Sequence, residues 1–111
     1  MIVDLAALEA VRCPCGWAKR AFGDVPDAPA SVHLVQIEHD ARTHYHRQHT
    51  EIYYILEAPA DAALELDGVR TPVAAGQAIL VRPGVRHRAA TPMRILNIVI
   101  PPFDPADEWF D

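Results

Sequence analysis

The sequence predicts a single all-β domain, a sandwich or barrel with jelly-roll connections, preceded by a short N-terminal helical segment. Three observations carry that expectation. From Ser31 onward, apolar and β-branched residues come in about eight short runs separated by turn residues, a number typical of such folds. A helical period appears only near the N-terminus, in Leu5, Leu8 and Val11. At 111 residues the chain is long enough for one hydrophobic core and too short for a second folding unit.

Taken in order, Asp4 to Arg12 reads as a helix with Asp4 as its N-cap, ended by Pro14 and Gly16. Trp17 to Phe22 reads as an early strand. Gly23 to Ala30, with Pro26 and Pro29 among acidic and small residues, reads as a surface loop. Residues 1–30 are thus expected to pack as an N-terminal segment on a β-domain spanning 31–102, with 103–111 an acidic, aromatic tail pinned by Trp109 and Phe110. Ser31 to Glu38 alternates as a strand, with Leu34 and Gln36 opposite Val35 and Ile37, and His39-Asp40-Ala41 turns the chain. Arg42 to His46 and Glu51 to Glu57 follow as neighbouring strands, the second being the clearest in the chain by its β-branched and aromatic content. Asp67-Gly68 is a two-residue hairpin signal between Ala62 to Leu66 and Val69 to Val73. After a turn at Ala74-Ala75-Gly76 come a short strand, Ala78 to Val81, and the tight turn Arg82-Pro83-Gly84. Val85 to Ala89 carries His87, and beyond Thr91-Pro92 the run Arg94 to Ile100 ends at Pro101-Pro102.

Half the residues are apolar and the formal net charge is -5, with a single lysine, Lys19. Such a chain offers no basic field for nucleic acid and no polybasic anchor for a membrane. With no apolar run approaching a membrane span and no signal-like N-terminus, a cytoplasmic location is the expectation. Cys13 and Cys15 are separated by one residue and would close almost no loop, so they read as reduced thiols of structural or incidental role.

The chemistry concentrates in His44-Tyr45-His46-Arg47-Gln48-His49-Thr50-Glu51. Side chains alternate along a strand, so His44 and His46 share a face, and a short turn then brings in Glu51. If His87 arrives from its later strand, the set becomes three imidazoles and one carboxylate, which suits a divalent transition metal better than calcium or magnesium. His49 lies inside the turn and is set aside, because Glu51 has the better strand parity. His33 and His39 read as ordinary surface histidines. An inward Glu51 turns Tyr53, Ile55 and Glu57 inward too, leaving Ile52, Tyr54 and Leu56 on the other face. Both faces are then largely apolar, so a second layer or a partner subunit is expected over the outer one, and a homodimer is the prediction. Glu57 and Tyr53 are the candidate catalytic groups, as acid, base or hydrogen-bond partner. Arg42 shares the parity of His44 and is the candidate for meeting an anionic substrate.

These residues also carry a resemblance. His44-x-His46-x4-Glu51 is similar to the first motif of the cupin superfamily. Gly76-x5-Arg82-Pro83-Gly84-Val85-Arg86-His87 is similar to the second, and the likeness runs over roughly Val32 to Ile100. Glu38, Ala58, Arg82 and Thr91 replace residues usual in those motifs, all at turn and scaffold positions, while the four ligand positions match. The resemblance implies a small antiparallel jelly-roll β-barrel, of the small single-domain kind, with one metal ion in its mouth held by His44, His46, Glu51 and His87. One carboxylate against a dication leaves such a centre net positive with open positions, so enolates, carboxylates or hydroxy acids are its natural ligands. Iron, manganese, nickel, copper and zinc all fit the donor set. A metal-dependent enzyme of oxygenase or isomerase/epimerase type acting on a small molecule is the leading expectation. The alternative is a non-catalytic small-molecule or sugar-binding barrel whose metal is structural or orients the ligand.

Overall fold

The computed structural model describes residues 1–38 and 41–111. Nine strands are found among them: β1 (Val11–Cys13), β2 (Gly16–Ala21), β3 (Ser31–Ile37), β4 (Thr50–Glu57), β5 (Ala63–Leu66), β6 (Val69–Pro72), β7 (Ala78–Val81), β8 (His87–Ala89) and β9 (Met93–Ile100). One antiparallel sheet has six strands in the order β1-β2-β3-β9-β4-β7, and the other has three in the order β6-β5-β8. Alternation decides what each strand buries: Val35 and Ile37 on β3, Tyr53 and Ile55 on β4, and Met93, Ile95 and Val99 on β9 all turn inward. In register, Ala18, Val35, Ile95 and Ile55 form one apolar row across the large sheet. Leu64 and Ala89 of the small sheet belong to the same core cluster, so the core lies between the two sheets. At the β5–β6 hairpin, Asp67 and Gly68 have φ of 49° and 80°, the paired positive values a two-residue turn of this hand requires. No helix among the described residues is long and apolar enough to cross a membrane.

Three local expectations need correction. The helix expected over Asp4 to Arg12 is a single 3-10 turn at Leu5–Ala7, capped by the Asp4 carboxylate, which accepts the Ala6 N–H at 3.0 Å. None of the residues in that turn is buried, so nothing offsets the nucleation cost of a longer helix, and Val11–Cys13 pairs with β2 instead. Gly16 makes that hairpin possible: its φ is +148°, and a Cβ there would sit 2.1 Å from the Gln36 carbonyl oxygen.

Arg42 to His46 is not a regular strand. Successive residues find different partners: His44 exchanges hydrogen bonds of 3.1 and 2.9 Å with His87, while Tyr45 exchanges two of 2.9 Å with Trp109. The segment is therefore threaded between β8 and the C-terminal tail.

Glu57 does not face inward. The register slips between Ile55 and Glu57, and this bulge turns the carboxylate to solvent, where it meets Arg94 at 3.3 Å. The turn expected at His39 and Asp40 lies outside the described residues.

Candidate metal centre

Glu51 and His87 reach each other from opposite sheets, because β4 turns Glu51 inward and the bridge to His44 fixes β8 across from it. Both are nearly inaccessible, at 5% and 2% exposure. Glu51 Oε1 lies 2.9 Å from His46 Nε2 and 3.0 Å from His87 Nε2. The His44 ring sits 5.2 Å from that of His46 and 4.3 Å from that of His87, centroid to centroid. One ligand atom from each of His44, His46, Glu51 and His87 lies within 4.8 Å of the others, so the fold gathers all four of the expected metal ligands.

The orientation of the rings is as telling as their proximity. His44 Nδ1 is 3.0 Å from the Arg42 carbonyl, His46 Nδ1 2.6 Å from that of Asp107, and His87 Nδ1 2.8 Å from that of Val85. A carbonyl only accepts, so each Nδ1 holds the proton and each Nε2 turns a lone pair away from it. Nε2 of His46 is buried with no hydrogen-bond partner among the described residues, although Glu51 Oε1 lies 2.9 Å away. With the proton on Nδ1, these Nε2 atoms and the Glu51 oxygen are all acceptors at contact distance. Such an arrangement calls for a second proton on a ring or a cation among them. The donor set fits a divalent transition metal.

Without a cation, the group's charges answer to each other. Burial works against the Glu51 charge, but the His46 and His87 rings outweigh it and hold the carboxyl well below the usual range. Burial also opposes a charge on His46, yet the close Glu51 carboxylate and the Asp107 carbonyl push its pKa up. His44 is pushed down by burial and by the neighbouring His87.

Two residues that support this group escaped the sequence reading. Asn97 donates an Nδ2–H to Glu51 Oε2 and so fixes the carboxylate. Its inward parity on β9, between Ile95 and Val99, was an available signal. Asp107, in a 3-10 turn at Pro105–Asp107, accepts the N–H groups of Arg47 at 3.0 Å and of Gln48 and His49 at 2.9 Å each, together with Trp109 Nε1–H at 3.1 Å. Burial opposes this carboxylate, but the backbone donors win and lower its pKa to about 2. Asp107 thus clamps the turn between His46 and Glu51 while its carbonyl orients His46. It lies 61 residues from His46, and no local pattern marks it.

His49, set aside as a ligand, is 2% exposed and engaged with the tail: its Nε2 accepts the Asp104 N–H at 3.2 Å and its Nδ1 lies 3.4 Å from Asp107 Oδ2. His33 is not a surface histidine. It is 3% exposed, its Nε2 is 2.8 Å from Ser31 Oγ, and burial with the nearby Arg20 charge lowers its pKa to about 4.

The group opens onto a cavity of about 280 Å³. Tyr53 lines it, edge-on to His87 with ring centroids 6.3 Å apart, and burial together with Glu51 keeps its phenol protonated far above the usual range. Arg42 is exposed and lines the cavity beside Phe110, its guanidinium carbon 4.0 Å from that ring's centroid. Glu57 is absent from the lining, which removes the geometric basis for an acid or base role. Cys13 and Cys15 are free thiols on the cavity wall with Sγ atoms 3.0 Å apart; the Cys15 hydrogen bond lowers the Cys13 pKa to about 6 and, reciprocally, raises that of Cys15.

The family model for the cupin domain matches residues 31–99. The chain belongs to the cupin family. A protein from Planctomyces limnophilus of known crystal structure is 53% identical over 99% of this cupin and 96% of its own chain, with a TM-score of 0.95. Two enzymes share the fold at lower identity. The nucleoside dehydratase Pac13 from Streptomyces is 19% identical, with 97% of this chain and 88% of that one covered and a TM-score of 0.78. The ectoine synthase of P. lautus is 20% identical, with coverage of 96% and 82% and a TM-score of 0.74. None of the curated proteins compared with this cupin matches it.

Proposed function

We propose that this cupin is a metal-dependent enzyme acting on a small, anionic, oxygen-rich substrate through oxygenase or isomerase/epimerase chemistry, with His44, His46, Glu51 and His87 holding one divalent transition metal. The observation that carries the reading is the set of three imidazoles pinned through Nδ1 to backbone carbonyls, with Glu51 among their Nε2 atoms, at the wall of a cavity. When bound, the ion supplies Lewis acidity toward a substrate oxygen.

The chain's own residues supply the rest. Asn97 holds the Glu51 carboxylate in place, and Asp107 holds both the turn and the His46 ring. Tyr53 lines the cavity with its phenol held protonated, which supports it as a hydrogen-bond donor to the substrate in place of the role considered for Glu57. Arg42 stands as the cation that meets an anionic substrate in the cavity. Ile37, Ile95 and Phe110 make the cavity wall partly apolar around these groups. That two cupins of similar fold are a nucleoside dehydratase and an ectoine synthase supports an enzyme over a passive binder.

The test is to incubate metal-loaded protein with a panel of hydroxy and keto acids while following dioxygen uptake and deuterium incorporation from heavy water. Uptake identifies the oxygenase and exchange the isomerase. Tyr53→Phe is expected to lower turnover about 10² to 10³-fold, the usual worth of one positioned hydrogen-bond donor, with metal content unchanged. Tight ligand binding with neither uptake nor exchange would make the protein a non-catalytic sugar- or small-molecule-binding cupin.

A further inference from the structure

We infer that a polar row headed by Arg20, on the inner face of the six-stranded sheet, reads the carboxylate of a hydroxylated acid such as a sugar acid. In register, Arg20 pairs with His33, His33 with Asn97, and Asn97 with Tyr53, so four hydrogen-bonding side chains stand side by side across β2, β3, β9 and β4. The row lies between the apolar row that ends at Ile55 and the row of Ser31, Val99 and Glu51 that carries the metal-ligand carboxylate. All four of its residues line the same cavity.

A run of polar groups on the inner face of a small sheet is costly unless each finds a partner. Two atoms of this row do not: Arg20 Nε and Asn97 Oδ1 are buried with no hydrogen-bond partner among the described residues. Asn97 is 8% exposed, and its orientation is settled by chemistry, since the Glu51 carboxylate only accepts and must face the Nδ2 donor. Oδ1 is therefore an acceptor in want of a hydroxyl. Arg20 is a donor-only cation held against Phe103, its guanidinium carbon 4.5 Å from the ring centroid, and it wants an anionic acceptor. Tyr53 adds a donor beside Glu51. Anion for Arg20, hydroxyl for Asn97 and oxygen for Tyr53 and the metal group, in that order across the sheet, is the pattern of a hydroxylated carboxylate lying along the row. His33 stays neutral between these groups, so the row carries a single positive charge, which matches a carboxylate better than a doubly charged phosphate. At about 280 Å³ the cavity suits a compact ligand of this class.

The inference rests on the proposed metal function for the far end of the ligand, while the carboxylate end stands on Arg20, which is no metal ligand, so the two are separable. Metal-loaded and metal-stripped protein are titrated by calorimetry with D-glucuronate, with D-glucuronamide, which has the same ring without the charge, and with D-glucose 6-phosphate. Glucuronate is expected to bind at least 10-fold more tightly than glucuronamide. Arg20→Gln should weaken glucuronate by about 10 to 100-fold, the worth of a hydrogen bond to a charged group, with metal content unchanged and glucuronamide binding reduced by no more than about 10-fold. Arg20→Lys, which keeps the charge and loses the fork, should fall between. Equal glucuronate affinity in wild type and Arg20→Gln, or no preference over glucuronamide, overturns the inference. Preference for the phosphate overturns the choice of carboxylate. Failure of the wild type to take up metal, with the Arg20 dependence intact, refutes the metal reading and leaves the carboxylate site standing.

Discussion

Replacing Asp107 by alanine tests whether the C-terminal tail builds the candidate metal centre or merely lies against it. The substitution removes the acceptor for three consecutive backbone N–H groups, those of Arg47, Gln48 and His49, and for the Trp109 indole. The His49 bond is buried and the other two are part-buried. A buried donor left unpaired costs about 1 to 3 kcal/mol, and the part-buried ones recover some of theirs from water, so the loss in unfolding free energy should be about 2 to 4 kcal/mol. Slackening this turn also frees the His46 ring, whose Nδ1 is held at 2.6 Å by the Asp107 carbonyl. Metal affinity should then fall by about 10 to 100-fold, as for other groups that orient a ligand rather than bind. Urea unfolding of the metal-free protein reads the first effect, and competition with a chromophoric chelator reads the second. Asp107→Asn, which keeps one oxygen but no charge, should lie between. A variant within about 0.5 kcal/mol of wild type and equal in metal affinity would refute the clamp.

Two further outcomes follow from the same geometry. His33, with its pKa near 4 in the fold against about 6.5 unfolded, binds its proton more readily when the chain is unfolded. Stability should therefore drop as pH falls from about 6.5 to 4, by about 3 kcal/mol in all from this group, and His33→Gln should flatten that limb of the profile, as denaturant midpoints across the range will show. A homodimer is proposed from the outer face of the large sheet, where Ile52 pairs with Leu80 and Ile98, Tyr54 pairs with Leu96, and Tyr54 and Leu80 remain 43% and 52% exposed. Light scattering at micromolar concentration should give twice the 12.3 kDa chain mass, Leu80→Arg should halve it, and a monomeric wild type contradicts the proposal.

What could be read from the sequence was what local chemistry decides. Alternation set Val35 and Ile37 on one face of their strand and Glu51, Tyr53 and Ile55 on one face of theirs, and Asp67-Gly68 marked its hairpin, because each depends on a few neighbouring residues. The spacing of His44, His46 and Glu51, with His87 from the second motif, marks in the sequence the group that the fold gathers. Glu57 shows where parity stops: alternation holds only while the register holds, and the bulge after Ile55 ends it. His33 and Asn97 were legible by the same parity that buries Val35 and Ile95, since each sits two residues along the strand from one of them. Asp107 was not, nor was the threading of His44 and Tyr45 between β8 and the tail, because both depend on segments distant in the chain meeting in space.

The metal centre itself is tested most directly by elemental analysis of the purified protein beside His46→Ala. Wild type should carry about one equivalent of a divalent transition metal, and the variant, with a ligand removed from the set, should lose most of it, consistent with affinity losses of about 10 to 100-fold or more. Equal metal content in the two proteins would contradict the assignment of His44, His46, Glu51 and His87 as the site.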